Sequence, residues 1–156
     1  MCKTLISIAM ALTVMFTWPV QAKEVEMSAA TTVSRSALIA FSASADLTRA
    51  RHFFHDVLGL AVLEENAMVI VFDVLGTQLR VSKVDKPVVA PYTVLGFQVK
   101  DIKAAVAELN IHGIAFEKFP GLPQDTDAIA TFGNGDRVAW FKDPDGHILS
   151  LTHFSR

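Results

Sequence analysis

A pattern written twice constrains this chain more than any other feature. Ala37 to Ala43 reads as a short strand, Asp46 as a helix N-cap, Leu47 to Leu58 as a helix and Gly59 as its terminator. Thr93 to Val99, Asp101, Ile102 to Asn110 and Gly113 repeat that order. Asp101 follows Asp46 by 55 positions, and Gly113 follows Gly59 by 54. Aspartate suits the start because its carboxylate accepts the unpaired first-turn amides, and glycine suits the end because it takes the left-handed cap. Further strands are expected over 61–64, 67–73 and 77–83 in the first half, and over 115–118, 128–132, 138–142 and 148–153 in the second. The result is two βαβββ halves joined by the linker Val84 to Pro91, which holds two prolines. Gly121 to Asp127 interrupts the second half as a polar loop, either a lid over a pocket or an ordinary surface excursion.

The N-terminus has a different character. Lys3 precedes a largely apolar run of fourteen residues, Leu5 to Trp18, and Pro19-Val20-Gln21-Ala22 then puts small residues at a cleavage position before Lys23. This is the layout of a secretory signal peptide over 1–22, too short for a membrane span of about 20 apolar residues. Residues 23–35 are expected to form a flexible arm, and 36–156 a single domain with modules at about 36–84 and 92–154. The only cysteine, Cys2, lies inside the signal, so the exported chain must hold itself together by packing alone. Without Lys3 there remain 13 basic and 16 acidic residues, a net charge of −3 with histidines neutral. No basic stripe appears, so neither nucleic acid nor, after signal cleavage, a membrane is an expected partner. The expected location is secreted or periplasmic.

The last two strands enclose the clearest local motif. Ala139-Trp140-Phe141-Lys142 runs into Asp143-Pro144-Asp145-Gly146 and leaves as His147-Ile148-Leu149-Ser150-Leu151. Proline presets φ at the first corner, and glycine tolerates the positive φ of such a turn. This hairpin resembles the closing hairpin of the vicinal-oxygen-chelate superfamily, which includes glyoxalase I, bleomycin-resistance proteins and extradiol dioxygenases. Asp46 through Leu60 resembles the first helix of that superfamily, and Gly96-Phe97-Gln98-Val99-Lys100-Asp101-Ile102 the start of its second module. The likeness spans 37–154. It implies an α+β fold in which two βαβββ modules form a curved mixed sheet around a central cavity, with the helices on the outer face.

The resemblance also implies where a metal would be held, from strands 1 and 4 of each module. Counting seven residues back from the capping aspartates gives Ile39 and Val94. The fourth-strand positions, between two inward apolar residues, are Arg80 and Ser150, and Ser150 stands where the metal enzymes have glutamate. Aliphatic side chains cannot coordinate a divalent ion, a lone hydroxyl is a poor ligand, and a guanidinium repels the ion. Neither a metal nor another cofactor is expected. The histidines offer no replacement. His52 and His55 share a helix face with Asp56 opposite Leu47, Phe54, Val57 and Leu58, a solvated face. His112 sits at a helix end, where a cation suits the dipole. His147 is expected to be exposed in the hairpin turn, and His153 to face away from Ser150 by strand alternation.

Alternation puts Ile39, Phe41, Ala43, Arg80, Val94, Gly96, Gln98, Ser150 and Thr152 on the cavity face. Trp140 and Phe141 straddle their strand; core packing is the default for both, with the pocket open to one of them. The ligand-binding candidates are Phe41, Arg80, Gln98, Trp140, Ser150 and Thr152. Such a surface suits a small, partly apolar molecule, with Arg80 gripping a carboxylate in a two-pronged contact or else reaching out to solvent. Two classes of function follow: a metal-free small-molecule-binding protein, or an enzyme. The enzyme is either a metal-dependent lyase or dioxygenase of the family type, or a metal-free isomerase or lyase using Arg80. Catalysis needs a base beside the electrophile, and neither a carboxylate nor an imidazole falls on the expected cavity set. A homodimer, in which a second copy completes the cavity, is also open.

Overall fold

The computed structural model describes residues 32–156, so the signal-peptide reading lies outside the described residues. Val33–Arg35 forms one 3-10 turn, and Ala37–Arg156 forms a compact unit of its own. No helix among the described residues is long and apolar enough to cross a membrane.

Each half builds one mixed sheet. In the first, β1 (Ile39–Ser44), β2 (Ala61–Glu65), β3 (Val69–Val74) and β4 (Thr77–Lys83) stand in the order β1-β4-β3-β2, with β1 parallel to β4. In the second, β5 (Thr93–Gln98) runs parallel to β9 (Ile148–His153), followed by β8 (Arg137–Lys142). The far edge of β8 is shared by two short strands. β6 (Phe116–Glu117) pairs with Phe141 and Trp140, and β7 (Ile129–Thr131) pairs with Arg137 to Ala139.

The segment between β6 and β7 contains the polar loop at Gly121 to Asp127, and Gln124 ties it down. Its amide nitrogen donates to the carbonyls of Glu117 and Ala128, and its amide oxygen accepts from the Phe119 N–H. One side chain thus supplies the backbone partners that an unbroken edge strand would have supplied.

Both helices start as their caps dictate. Asp46 accepts from the Thr48 and Arg49 amides at the head of α1 (Leu47–Arg51), and Asp101 from Lys103 and Ala104 at the head of α2 (Ile102–Ile111). The first helix departs from a plain α-helix after Arg51, because His52–Val57 continues as a π-helix with Leu58 N–H donating to the Phe53 carbonyl. This wider turn accompanies the burial of two consecutive rings, Phe53 and Phe54, packed edge to face with centroids 5.0 Å apart. A regular helix points neighbours about 100° apart, and only Phe54 was expected in the core.

The core is continuous through both modules. Ile70, Phe72, Leu79 and Val81 of the first sheet join Ala139, Phe141, Leu149 and Leu151 of the second, with Ile102 and Val106 of α2. The Phe141 ring lies 6.4 Å from Phe53 and 5.6 Å from Phe116. Trp140, its neighbour in β8, points to the opposite sheet face, where it is half-buried against Phe119.

Candidate functional site

Strand alternation sets out the sheet faces turned away from the helices. Leu79 and Val81 of β4 turn toward the helices, which leaves Gln78, Arg80 and Ser82 on the other face. Register places Phe41 of β1 on one side of Arg80 and Val71 of β3 on the other. Phe41 is 65% exposed, whereas Val71 is buried. Arg80 is half-buried, and its guanidinium makes no hydrogen bond or ion pair among the described residues. A cation whose stem lies among apolar neighbours and whose head is unpaired is available to an anion.

In the second sheet, Gly96 and Trp140 flank Ser150, and Gln98 and Val138 flank Thr152. The Ser150 hydroxyl reaches toward Gly96 closely enough that a Cβ there would stand 3.1 Å from Oγ. Ser150 is 5% exposed, and its hydroxyl has no partner among the described residues. The Trp140 indole N–H donates to Thr93 Oγ1 at 3.1 Å, and its ring stands edge to face against Phe119 at 5.6 Å. Gln98 is exposed and lines one groove with Lys100, His153 and Arg156 and another with Gly59, Ala61 and Asp73. The six expected ligand-binding residues therefore fall into a Phe41–Arg80 pair on the first sheet and a Gln98–Trp140–Ser150–Thr152 group on the second. Val94 departs from simple alternation: the strand irregularity between Thr93 and Leu95 lets it pack against the core.

The edge strands of the two sheets, β1 and β5, line a common groove of about 380 Å³ with Leu79 at its side. The closing hairpin fastens the modules across this edge. Asp145, from the turn, accepts from the Ser44 hydroxyl, the Ala45 N–H and the Arg49 guanidinium. Gly146 adopts φ of 94° and donates its N–H to the Asp143 carbonyl, which closes the tight turn.

The donor set does not fit a divalent metal. The positions that the resemblance implies are two aliphatic side chains, a guanidinium and a hydroxyl. No group of three or more His, Cys, Asp or Glu side chains arranged to hold a metal ion occurs among the described residues. His52 Nδ1 is 2.9 Å from Asp56, and this hydrogen bond is the main cause that holds the Asp56 carboxyl below its usual range. His55 Nδ1 is 2.8 Å from the Leu60 carbonyl. The chemistry open to the uncovered faces is charge pairing and hydrogen bonding.

One histidine is not where the sequence reading put it. His147, expected to be exposed, is 5% exposed, because its ring folds back onto Asp143 across the turn at Nδ1 to Oδ2 2.8 Å. A carboxylate that satisfies the ring makes its burial tolerable. Lys142 and Ile148 are register partners, so the next residues inward, Asp143 and His147, face each other. That spacing in the hairpin was the available signal.

Comparison with known proteins agrees with this architecture. Residues 39–151 match the sequence profile of the glyoxalase/bleomycin resistance protein/dioxygenase superfamily. A protein of that superfamily from Alicyclobacillus acidocaldarius superposes with a TM-score of 0.59 at 18% identity, covering 78% of this chain and 92% of that one. Lactoylglutathione lyase from Agrobacterium tumefaciens gives 0.60 at 16%, covering 76% and 92%. A superfamily member from Sphaerobacter thermophilus gives 0.58 at 24%, covering 76% and 96%. No curated protein matches the chain in sequence. With a profile match over most of its length and two βαβββ modules in the expected order, the chain belongs to the glyoxalase/bleomycin resistance protein/dioxygenase superfamily.

Proposed function

We propose that this protein is an exported, metal-free binder of a small, partly apolar carboxylate, which it holds against the uncovered sheet face around Arg80. The unpaired Arg80 guanidinium between Phe41 and Val71 carries the reading. Its two parallel N–H groups match a carboxylate, and the apolar neighbours match the rest of a small organic acid. Export rests on the apolar run before Lys23; a chain that keeps Met1 in a secreting host would remove that part.

Titration of small aliphatic and aromatic monocarboxylates by calorimetry tests the binding. Arg80→Ala is expected to weaken the best of them by about tenfold to a hundredfold, the range for a charged hydrogen bond of roughly 1.5–3 kcal/mol. Arg80→Lys keeps the charge without the fork and should recover only part. Equal affinity in wild type and Arg80→Ala would sink the reading.

A second copy of the chain over the same face belongs to this proposal, because Ile39 and Phe41 of the edge strand β1 are 44% and 65% exposed. Side chains of that size on an edge strand are the kind that association covers. Light scattering that finds a monomer with full ligand affinity would remove the second copy.

A further inference from the structure

The buried Asp143–His147 pair is used by neither the fold's core nor the Arg80 reading. Asp143 Oδ2 lies 2.8 Å from His147 Nδ1, and the two side chains are 3% and 6% exposed. Asp143 Oδ1 also accepts from the His147 and Asp145 amides, each at 2.9 Å, which fixes the carboxylate in place. An ionised carboxylate only accepts, so it is Nδ1 that donates to Asp143, and in the tautomer whose one proton sits there Nε2 is the acceptor nitrogen. Nε2 has no hydrogen-bond partner among the described residues, yet no buried side-chain nitrogen or oxygen there lacks one. Nε2 therefore keeps an accessible edge, and His147 is one of the residues lining a groove of about 360 Å³.

The groove's other walls decide what fits. Apolar side chains and the Tyr92 ring line most of it with His147, Ser42 adds a small polar residue, and the lining has no carboxylate, lysine or arginine. Phe41 and Tyr92 are 65% and 66% exposed, two flat rings with uncovered surface. A charged ligand would enter without a counter-charge. A neutral aromatic molecule gains apolar contact and ring packing, and one hydroxyl on it can donate to the imidazole.

We propose that this groove is a binding site for a phenol-class ligand, a planar aromatic alcohol whose O–H donates to His147 Nε2 while Asp143 holds the imidazole in the accepting tautomer. The site goes beyond the Arg80 reading and does not depend on it, although Phe41 is common to both.

The test compares 4-methylphenol with 4-methylanisole, which has the same shape but no O–H to donate. Both are titrated into the full chain while the His147 ring nitrogens are followed by NMR. The phenol is expected to bind at least tenfold more tightly than the ether and to move the Nε2 resonance. Asp143→Asn keeps an acceptor for the two amides but turns an NH2 toward Nδ1, which drives the ring proton to Nε2 and converts acceptor to donor. The phenol-to-ether ratio should then fall to about one.

Should Asp143→Asn fail to fold, the surface variant Phe41→Ala takes its place. It is expected to weaken both probes alike and leave their ratio unchanged. Arg80→Ala should leave phenol binding intact, which separates this site from the carboxylate reading. Equal affinity for phenol and ether in wild type, a stationary Nε2 resonance at saturation, or loss of phenol binding in Arg80→Ala would each overturn the proposal.

Discussion

Phe141→Ala is expected to destabilise the domain by about 3–5 kcal/mol, the cost of removing a fully buried aromatic side chain from a close-packed core. Phe141 is 0% exposed and stands where the two modules meet, 6.4 Å from Phe53 of the first and 5.6 Å from Phe116 of the second. The surrounding side chains are held by β-ladders on both sides of β8, so the void has little room to collapse. Thermal unfolding should drop by roughly 15 °C and remain a single transition, because one core serves both modules. Two separated transitions would mean that the modules carry independent cores. Phe141→Leu, which keeps most of the volume, should lose under half as much.

Asp143→Ala is the second large effect, expected at about 3 kcal/mol. The substitution strips the acceptor from the Asp145 amide, the His147 amide and His147 Nδ1 at once. Each buried donor left without a partner costs about 1–3 kcal/mol, and the turn can re-solvate only part of the loss. The hairpin also presents Asp145 to Ser44, Ala45 and Arg49 of the first module. Loosening the turn should therefore speed amide exchange at Ala45 as well as at His147, a readout that simple local fraying would not produce. Chemical denaturation gives the stability change, and a loss below about 1 kcal/mol would show that water substitutes freely for the carboxylate.

These two residues also mark where the sequence was legible. Core packing was the default for both Trp140 and Phe141, and Asp46, Asp101 and the tight turn follow from local hydrogen-bonding chemistry that needs no tertiary context. The π-helical turn at His52–Val57 does not. It accompanies the burial of both Phe53 and Phe54 in a core assembled from distant strands, and helical periodicity has no term for that. The edge of β8, split between β6 and β7, depends on three bonds from one glutamine across a loop.

The candidate site was half legible. Alternation put Arg80, Ser150 and Thr152 on the faces opposite the helices but could not say that they belong to two separate sheets. Val94 packs against the core as well as lining a groove with Phe41, where a strand irregularity breaks the period of two. His147 was misplaced because a turn residue is usually solvated, and the carboxylate that buries it lies four positions away on the opposite side of the hairpin.

We propose that this family member holds its ligand with Arg80 and neighbouring groups in place of a metal. The most direct measurement is elemental mass spectrometry of the chain from Lys23 onward, purified without chelator and then equilibrated with nickel, zinc, manganese or iron and desalted. The donor set at Ile39, Arg80, Val94 and Ser150 predicts less than about a tenth of a metal ion per chain under every condition. About one ion per chain, retained through desalting, would contradict the account and show that ligands come from residues outside this set.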